Sequence, residues 1–352
     1  MMNSWSGVRA PSRQQAGGPL STRSFLASIC AAAILSLPAP GQAVALAAKP
    51  AAPPAKAAYT PPRTPDGQPD LQGIWNNGTV TRLERPADLG DKASFTPEEA
   101  RQYEKDVVAK TNRDQRTKGT VQDVSNAYND AWYDAGSHVT GTLRTSMVID
   151  PPNGKIPPLT AEAERINKEH RLQTSRPPQG PEDRTLAERC LMLPTDSVPM
   201  LPHVYNNNMR IVQSKDSVAI LTEMMHDVRI IPLDGRPHLP ETVRNWFGDS
   251  RGHWEGDTLV VDTTNFNGQG RFGFDNVTSA KLHVVEWFTR VDPQTILYRF
   301  TVDDPGAYTS PWTAELTYSA DPGPIFEYAC HEGNYALPNM LSGARAEEKV
   351  SK

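Results

Sequence analysis

Residues Asn245–Phe266 read NWFGDSRGHWEGDTLVVDTTNF and carry the clearest strand signals of the chain. The second half, Thr258–Thr264, is dense in β-branched residues, which fit a pleated and half-buried surface. The three residues before it, Glu255–Asp257, supply a turn in which Gly256 can take a positive φ. The stretch therefore predicts an extended arm, Asp249–Glu255, that turns back into a β-strand.

The strand pattern extends on both sides of this stretch, over residues 208–335. Short segments with alternating apolar residues are joined by turn signals, which predicts an antiparallel meander. Because a long antiparallel sheet exposes its edges unless it closes or bends, we predict a mainly β fold, a lipocalin-like antiparallel barrel or strongly bent sheet. The candidate strands are Met209–Gln213, Ser217–Met224, Val228–Pro232, Arg251–Trp254, Thr258–Thr263, Leu282–Val291, Thr295–Val302, Trp312–Tyr318 and Ile325–Cys330.

Residues 70–207 form a helical and irregular half that we expect to wrap the sheet, so that 70–345 make a single β-rich domain. Helices are predicted at 97–112 and 161–172, each preceded by a threonine that can cap its first turn. A strand is predicted at 141–149 and is ended by the turn residues that follow it.

The N-terminus reads as a targeting segment. Three arginines precede an apolar run over 25–37 that is too short for a permanent membrane anchor. We therefore predict a signal peptide at 1–47, followed by an Ala/Pro-rich linker at 48–69. The predicted location is periplasmic or secreted, with the export route left open.

Cysteine and charge usage agree with export. Cys30 would leave with the signal peptide, and the remaining pair, Cys190 and Cys330, predicts a disulfide, with two free thiols as the alternative. Removing 1–47 takes away three arginines and no acid, so the formal charge moves from −5 to −8. This balance argues against nucleic acid or an anionic membrane surface as a partner. We expect no stable membrane insertion, and the oligomeric state is left open.

Several phrases resemble a widespread family of exported bacterial proteins of unknown function. They are PDLQGIW at 69–75, DPPNGKIPPLT at 150–160, IIPLDGRPH at 230–238, RGHWEGDTLVVD at 251–262 and CHEGNY at 330–335. The resemblance covers most of the chain after the linker. It implies export, but it carries no reaction and no catalytic residues to this chain.

The arm before the central turn holds the densest mix of ionisable residues. Side chains alternate in an extended strand, so Asp249, Arg251, His253 and Glu255 would share one face. Such a face is either a solvated edge or the wall of an active site. Because bulky aromatic residues flank it at 246, 247 and 254, the pattern favours a small-molecule pocket.

Two further histidines are candidates. Continued alternation from residue 217 to 231 would place His226 on an apolar strand face, where it is either a satisfied core group or a functional one. His331 follows Cys330 directly, so a disulfide would fix its backbone, although it has the alternative of being a plain loop residue.

We therefore predict an exported enzyme that uses histidine and carboxylate general acid–base chemistry on a small cyclic or aromatic organic molecule, as a lyase, isomerase or hydrolase. The alternative is a lipocalin-like binding protein without catalysis. The expected catalytic residues are His253, His226, Arg251, Glu255 and His331, and the expected substrate-binding residues are Trp254, Trp246, Asp249, Arg229 and Tyr205. No cofactor and no metal are predicted, because glycine-loop and paired-histidine signals are missing from the sequence.

Overall fold

The structure, a computed structural model, describes residues 59–350 apart from 113, 115–118, 121–122, 124–132, 134, 194–195 and 273–275. The predicted signal peptide and residues 48–58 of the predicted linker lie outside the described residues. Among the helices of the described part, none has the length and apolar character needed to cross a membrane.

Strands dominate the described residues. The strands are β1 Gly73–Asn76, β2 Val148–Asp150, β3 Asn208–Gln213, β4 Ser217–Thr222, β5 Val228–Pro232, β6 Asp249–Glu255, β7 Thr258–Thr264, β8 Arg271–Phe272, β9 Asn276–Val277, β10 His283–Asp292, β11 Thr295–Asp303 and β12 Trp312–Ala320. The helices are α1 Pro97–Thr111, α2 Ala161–Thr174 and α3 Ala336–Val350, and short 3-10 turns occur at Ala87–Leu89, Pro181–Asp183 and Met224–His226.

Within the described part of the chain, ten strands form one antiparallel sheet. Its order is β5-β4-β3-β1-β12-β11-β10-β7-β6, with β2 added beside β12, and β8 and β9 form a separate pair. The strand β1, from the wrapping half, lies between β3 and β12, so the sheet is not built from residues 208–335 alone. The prediction of a mainly β fold is confirmed.

The sheet curves into a nearly closed barrel because its two end strands, β5 and β6, lie side by side. Gly252 of β6 makes this approach close. A Cβ atom added there would lie 2.7 Å from the side chain of Leu233 and 2.8 Å from that of Ile231. The missing side chain at 252 thus lets β6 pack directly against the end of β5.

The core fills the barrel interior with alternate residues of each strand. β10 and β11 show this period of two, with every second residue buried over most of their length. Five of the largest interior side chains are aromatic and touch one another, with ring centroids 4.8–5.7 Å apart. They are Phe288, Tyr298, Phe300, Trp312 and Tyr318.

The helices begin where the sequence predicts. Thr96 and Glu99 form a reciprocal capping box at the start of α1, with N–O distances of 2.8 and 3.3 Å. α1 buries only Ala100, which agrees with its narrow apolar stripe. In α2 the side-chain oxygen of Asn167 accepts a hydrogen bond of 3.0 Å from the backbone N–H of Val277, which ties this helix to β9.

Three secondary-structure predictions differ from the structure. Residues 325–330 are not a strand, since the N–H of Phe326 donates to the Glu223 side chain instead of to a neighbouring strand. The strand predicted at 141–149 is reduced to β2, because this segment bonds to residues 82–93 of the wrapping half. Helix α3 was missed because Pro338 and Gly343 disfavour helix interiors, although proline is tolerated in the first turn.

A disulfide joins Cys190 to Cys330, with the two Cα atoms 5.7 Å apart. It connects the wrapping half to the segment that follows β12. Met224 and Met225 pack against it, together with the rings of Tyr205 and Tyr328. The predicted pairing is thus present in the structure.

Candidate active site

The turn after β4 decides which side chains enter the barrel at this edge. Met225 and His226 both have a positive φ, 57° and 48°, so the alternation of β4 does not continue into β5. As a result Arg229 and Ile231 point inwards, whereas Val228 and Ile230 are 55% and 56% exposed.

The expectation that His226 lies on an apolar strand face is therefore wrong. Its ring is exposed, and Nδ1 lies 3.1 Å from the backbone oxygen of Tyr328, to which it donates. This contact holds the segment near the disulfide against the turn after β4. A catalytic role for His226 has no support from this placement.

A pocket of about 350 Å³ opens beside this turn. Three parts of the chain line it: the buried segment 196–200, residues 220–230 of β4 and β5, and residues 245–250 that lead into β6. Trp246 and Phe247 supply its aromatic wall. Its volume lies within the range of small-molecule sites.

Two carboxyl groups, those of Asp196 and Asp227, meet in this pocket. Asp196 is only 6% exposed, and its Oδ1 accepts a 2.7 Å hydrogen bond from the N–H of Leu193. Its Oδ2 is buried and receives no donor from the residues that the structure describes. Both carboxyl groups line the pocket, and a hydrogen bond between them affects the pKa of each.

The electrostatics of the pair favour one shared proton. Burial above all raises the pKa of Asp196 to about 8, opposed by the hydrogen bond from the Leu193 N–H and aided by the charge of Asp227. Burial also raises the pKa of Asp227, but the charge of His226 and the hydrogen bond from Asp196 act in the opposite direction. We therefore assign the proton at neutral pH to Asp196 and the negative charge to Asp227, and the two titrate as a coupled pair.

Below the pocket, a buried ion pair closes the barrel interior. The Arg229 guanidinium binds both carboxylate oxygens of Glu286, one of them at 2.9 Å, and also donates to Ser250 at 3.0 Å and Thr263 at 2.8 Å. Glu286 is fully buried and accepts a further 2.8 Å hydrogen bond from the Tyr298 hydroxyl. Arg229, which the sequence predicted to bind substrate, thus lines the pocket, but its guanidinium group donates its hydrogen bonds to other residues of the protein.

The same tyrosines hold the segment that carries Asp196. The Tyr298 hydroxyl accepts a 3.2 Å hydrogen bond from the N–H of Met200, and the Tyr318 hydroxyl donates to the Met200 oxygen at 3.4 Å. Glu286 fixes Tyr298, so the buried ion pair orients the segment 196–200 through this chain of contacts. Asp196 is therefore placed by barrel residues distant in sequence.

Of the two alternatives predicted for the face that carries Arg251, His253 and Glu255, a solvated edge or an active-site wall, His253 and Glu255 follow the first. The His253 side chain is 58% exposed and its Nε2 lies 3.2 Å from Glu255 Oε1. The expectation that this face forms a pocket wall fails for Arg251, His253 and Glu255, which do not line the pocket, whereas Asp249 at the start of the same face does. Beyond Asp249, the ionisable residues of β6 alternate with the inward residues Ser250, Gly252 and Trp254.

The remaining predicted residues divide between three places. Trp246 lines the pocket, and Trp254 packs against the barrel core beside it. Asp249 reaches the pocket edge, but its carboxylate binds Arg251 at 2.7 Å. Tyr205 lies beside the disulfide, and His331 is exposed in the same region. Neither of these last two lines the pocket.

Sequence reasoning missed Asp196. A signal was available, since it stands as a single acid within the apolar, proline-rich stretch Leu191–Pro202. A carboxyl group in such a stretch is costly to bury without a reason. Its partner, Asp227, directly follows the turn at Met225 and His226, so its approach to Asp196 depends on that turn.

An outer network anchors the loop between β5 and β6, which carries Trp246. His238 lies between two aspartates, with Nδ1 3.0 Å from Asp249 and Nε2 2.9 Å from Asp262. His283 also binds Asp262, at 2.8 Å. Burial opposes ionisation of Asp262, but the hydrogen bonds from both histidines prevail and hold its pKa below the ordinary value.

This network should make a small pH-dependent contribution to stability. The pKa of His283 is raised above 6.5, first of all by its hydrogen bond to Asp262. The contribution to stability is therefore complete at pH values below the pKa of His283 in the unfolded chain. It is lost as the pH rises through the pKa of His283 in the folded protein. We expect His283→Asn to lower the free energy of unfolding by less than about 1 kcal/mol at low pH, since both side chains are more than a third exposed.

Urea denaturation of both proteins at about pH 6 and about pH 9 measures this effect. The two unfolding free energies should differ at the lower pH and converge at the higher one. A difference of the same size at both pH values would show that the ion pair does not carry the effect.

Comparison with known proteins gives no information about the function of this site. No family model matches the chain, and neither the curated proteins nor the solved structures include a match. The resemblance drawn from the sequence motifs stays a prediction.

Proposed function

We propose that the protein is an enzyme that transfers protons on a small cyclic or aromatic organic molecule, with Asp196 as the general acid and Asp227 as the general base. The observation that supports this most is the buried carboxyl pair in a pocket with an aromatic wall. A pair whose environment separates the two pKa values is a common way to obtain an acid and a base at one pH.

The pair suits chemistry next to a carbonyl group. Asp227 would take a proton from the carbon beside the carbonyl, and the electron pair of that C–H bond would form the new double bond. The carbonyl oxygen would receive the proton of Asp196 and become an enol hydroxyl. Return of a proton at another carbon gives isomerisation, and loss of a leaving group gives elimination, so the reaction class is that of an isomerase or lyase.

A binding protein without catalysis is the second candidate. It is favoured by the exposed apolar side chains of Val228 and Ile230 at the pocket rim, which suit capture of an apolar ligand. The disulfide supports placement outside the cytoplasm for either candidate, in the periplasm or secreted. The partner in both cases is a small molecule.

Exchange in heavy water separates the two candidates. The full chain is incubated in D₂O with a panel of small cyclic ketones and aromatic compounds, and proton NMR follows loss of C–H signals and appearance of products. We expect at least one compound that binds to be exchanged or converted, and Asp227→Asn to abolish this. Compounds that bind without exchange or conversion would favour the carrier.

A further inference from the structure

The charges around the pocket restrict what can bind there. Arg229 and Glu286 neutralise each other below the pocket. Asp249 at the edge is paired with Arg251 on the outer side of β6. The carboxyl pair of Asp196 and Asp227 remains, with one shared proton and one negative charge. An anionic ligand would therefore meet a like charge in a partly desolvated site.

The hydroxyl groups of the lining are already engaged within the protein. Ser197 donates to the oxygen of Pro199 at 3.0 Å, and Thr222 donates to that of Met224 at 3.1 Å. Ser250 accepts from Arg229 and lies 3.1 Å from the Thr263 hydroxyl. A ligand that reaches the inner part of the pocket thus has the carboxyl pair as its main polar partner.

The other inner walls are apolar. Met200 and Ile220 face the pocket from the barrel side, and Phe247 and Trp246 face it from the loop before β6. A ligand ring with few polar groups fits against these walls. Each polar group placed against them would lose its hydration without gaining a hydrogen-bond partner. A single ligand oxygen placed at the carboxyl pair can accept a hydrogen bond from the protonated carboxyl group of Asp196.

We infer that the pocket selects an uncharged cyclic molecule with a single carbonyl or hydroxyl oxygen, and discriminates against carboxylate, phosphate or sulfate derivatives of the same skeleton. This inference rests on the pocket used for the proposed function, but concerns binding and not turnover. A cationic amine is a different ligand class, and its binding would follow the opposite pH dependence.

The test uses four two-ring probes on the full chain by isothermal titration calorimetry. 2-Tetralone and 2-naphthol are neutral, 2-naphthoate is anionic and 2-aminotetralin is cationic. At neutral pH we expect the neutral probes to bind at least about tenfold more tightly than the anion, equivalent to about 1.4 kcal/mol. The cation tests the alternative ligand class, because the negative charge of the carboxyl pair would attract an ammonium group.

The pH dependence gives the internal control. Raising the pH through the titration of the carboxyl pair removes the proton with which Asp196 donates a hydrogen bond to the ligand oxygen. The binding of 2-tetralone to the wild type should therefore weaken. In Asp196→Asn its affinity should not change over the same range. Equal or tighter binding of the anion, or cation binding that exceeds neutral binding and rises with pH, would overturn the inference.

Binding and turnover can fail separately. Neutral probes that bind with the expected pH dependence but undergo no exchange would contradict the proposed function and leave the ligand class standing. Turnover of a charged compound in preference to its neutral analogue would overturn the ligand class and leave the acid–base mechanism standing.

Discussion

Replacement of Arg229 by methionine should lower the free energy of unfolding by about 3 to 5 kcal/mol, the range for breaking one side of a buried ion pair. Glu286 would be left fully buried, with Tyr298 as its remaining donor among the contacts described above. Ser250 and Thr263 would also each lose a hydrogen bond. Urea denaturation followed by circular dichroism measures the loss.

Two further variants identify its cause. In the double variant Arg229→Met, Glu286→Leu no charge is left unpaired, so it should recover a large part of the lost stability. The matched surface control is Arg236→Met, which removes an exposed pair with Asp234 and should leave the free energy of unfolding close to that of the wild type. A double variant that is no more stable than Arg229→Met would show that the loss comes from packing and not from the buried charge.

The largest functional effect is expected at Asp227. Asp227→Asn removes the base while keeping the size of the side chain, so turnover of any substrate found in the exchange screen should fall by about two to four orders of magnitude. The melting temperature of this variant should not fall, because the substitution removes a charge from a partly buried site. Initial rates and thermal unfolding of the purified variant measure both quantities.

His253→Ala provides the contrast, since this residue was the base expected from the sequence. Its side chain is 58% exposed and lies on the outer face of β6, so the rate should stay close to that of the wild type. A large loss in His253→Ala together with an active Asp227→Asn would restore the assignment made from strand alternation and remove the one made from the carboxyl pair.

The β architecture could be predicted because each strand carries its own local signal. Alternation in β10 and β11 and the turn at Gly256 are local properties, so most strand positions were correct to within two residues. The insertion of β1 between β3 and β12 was not predictable in this way. Residues 73–76 give no local sign of their partners, which are set by contacts more than a hundred residues away.

The site was harder to predict because it depends on one turn. The sequence does not reveal that Met225 and His226 adopt positive φ, yet this reverses which residues of β5 face inwards. The reversal brings Arg229 to Glu286 and places Asp227 beside Asp196. Strand alternation correctly put Asp249, Arg251, His253 and Glu255 on one face, but it could not say whether that face is inside or outside the barrel.

Carboxyl titration by carbon-13 NMR tests the central claim most directly, because it needs no substrate. In the full chain labelled at aspartate carboxyl carbons, we expect one resonance that titrates near pH 8, the value to which burial above all raises the pKa of Asp196. That resonance should be missing from the spectrum of Asp196→Asn. Ordinary acidic titration of every aspartate in the wild type would contradict the shared proton and the acid–base roles built on it.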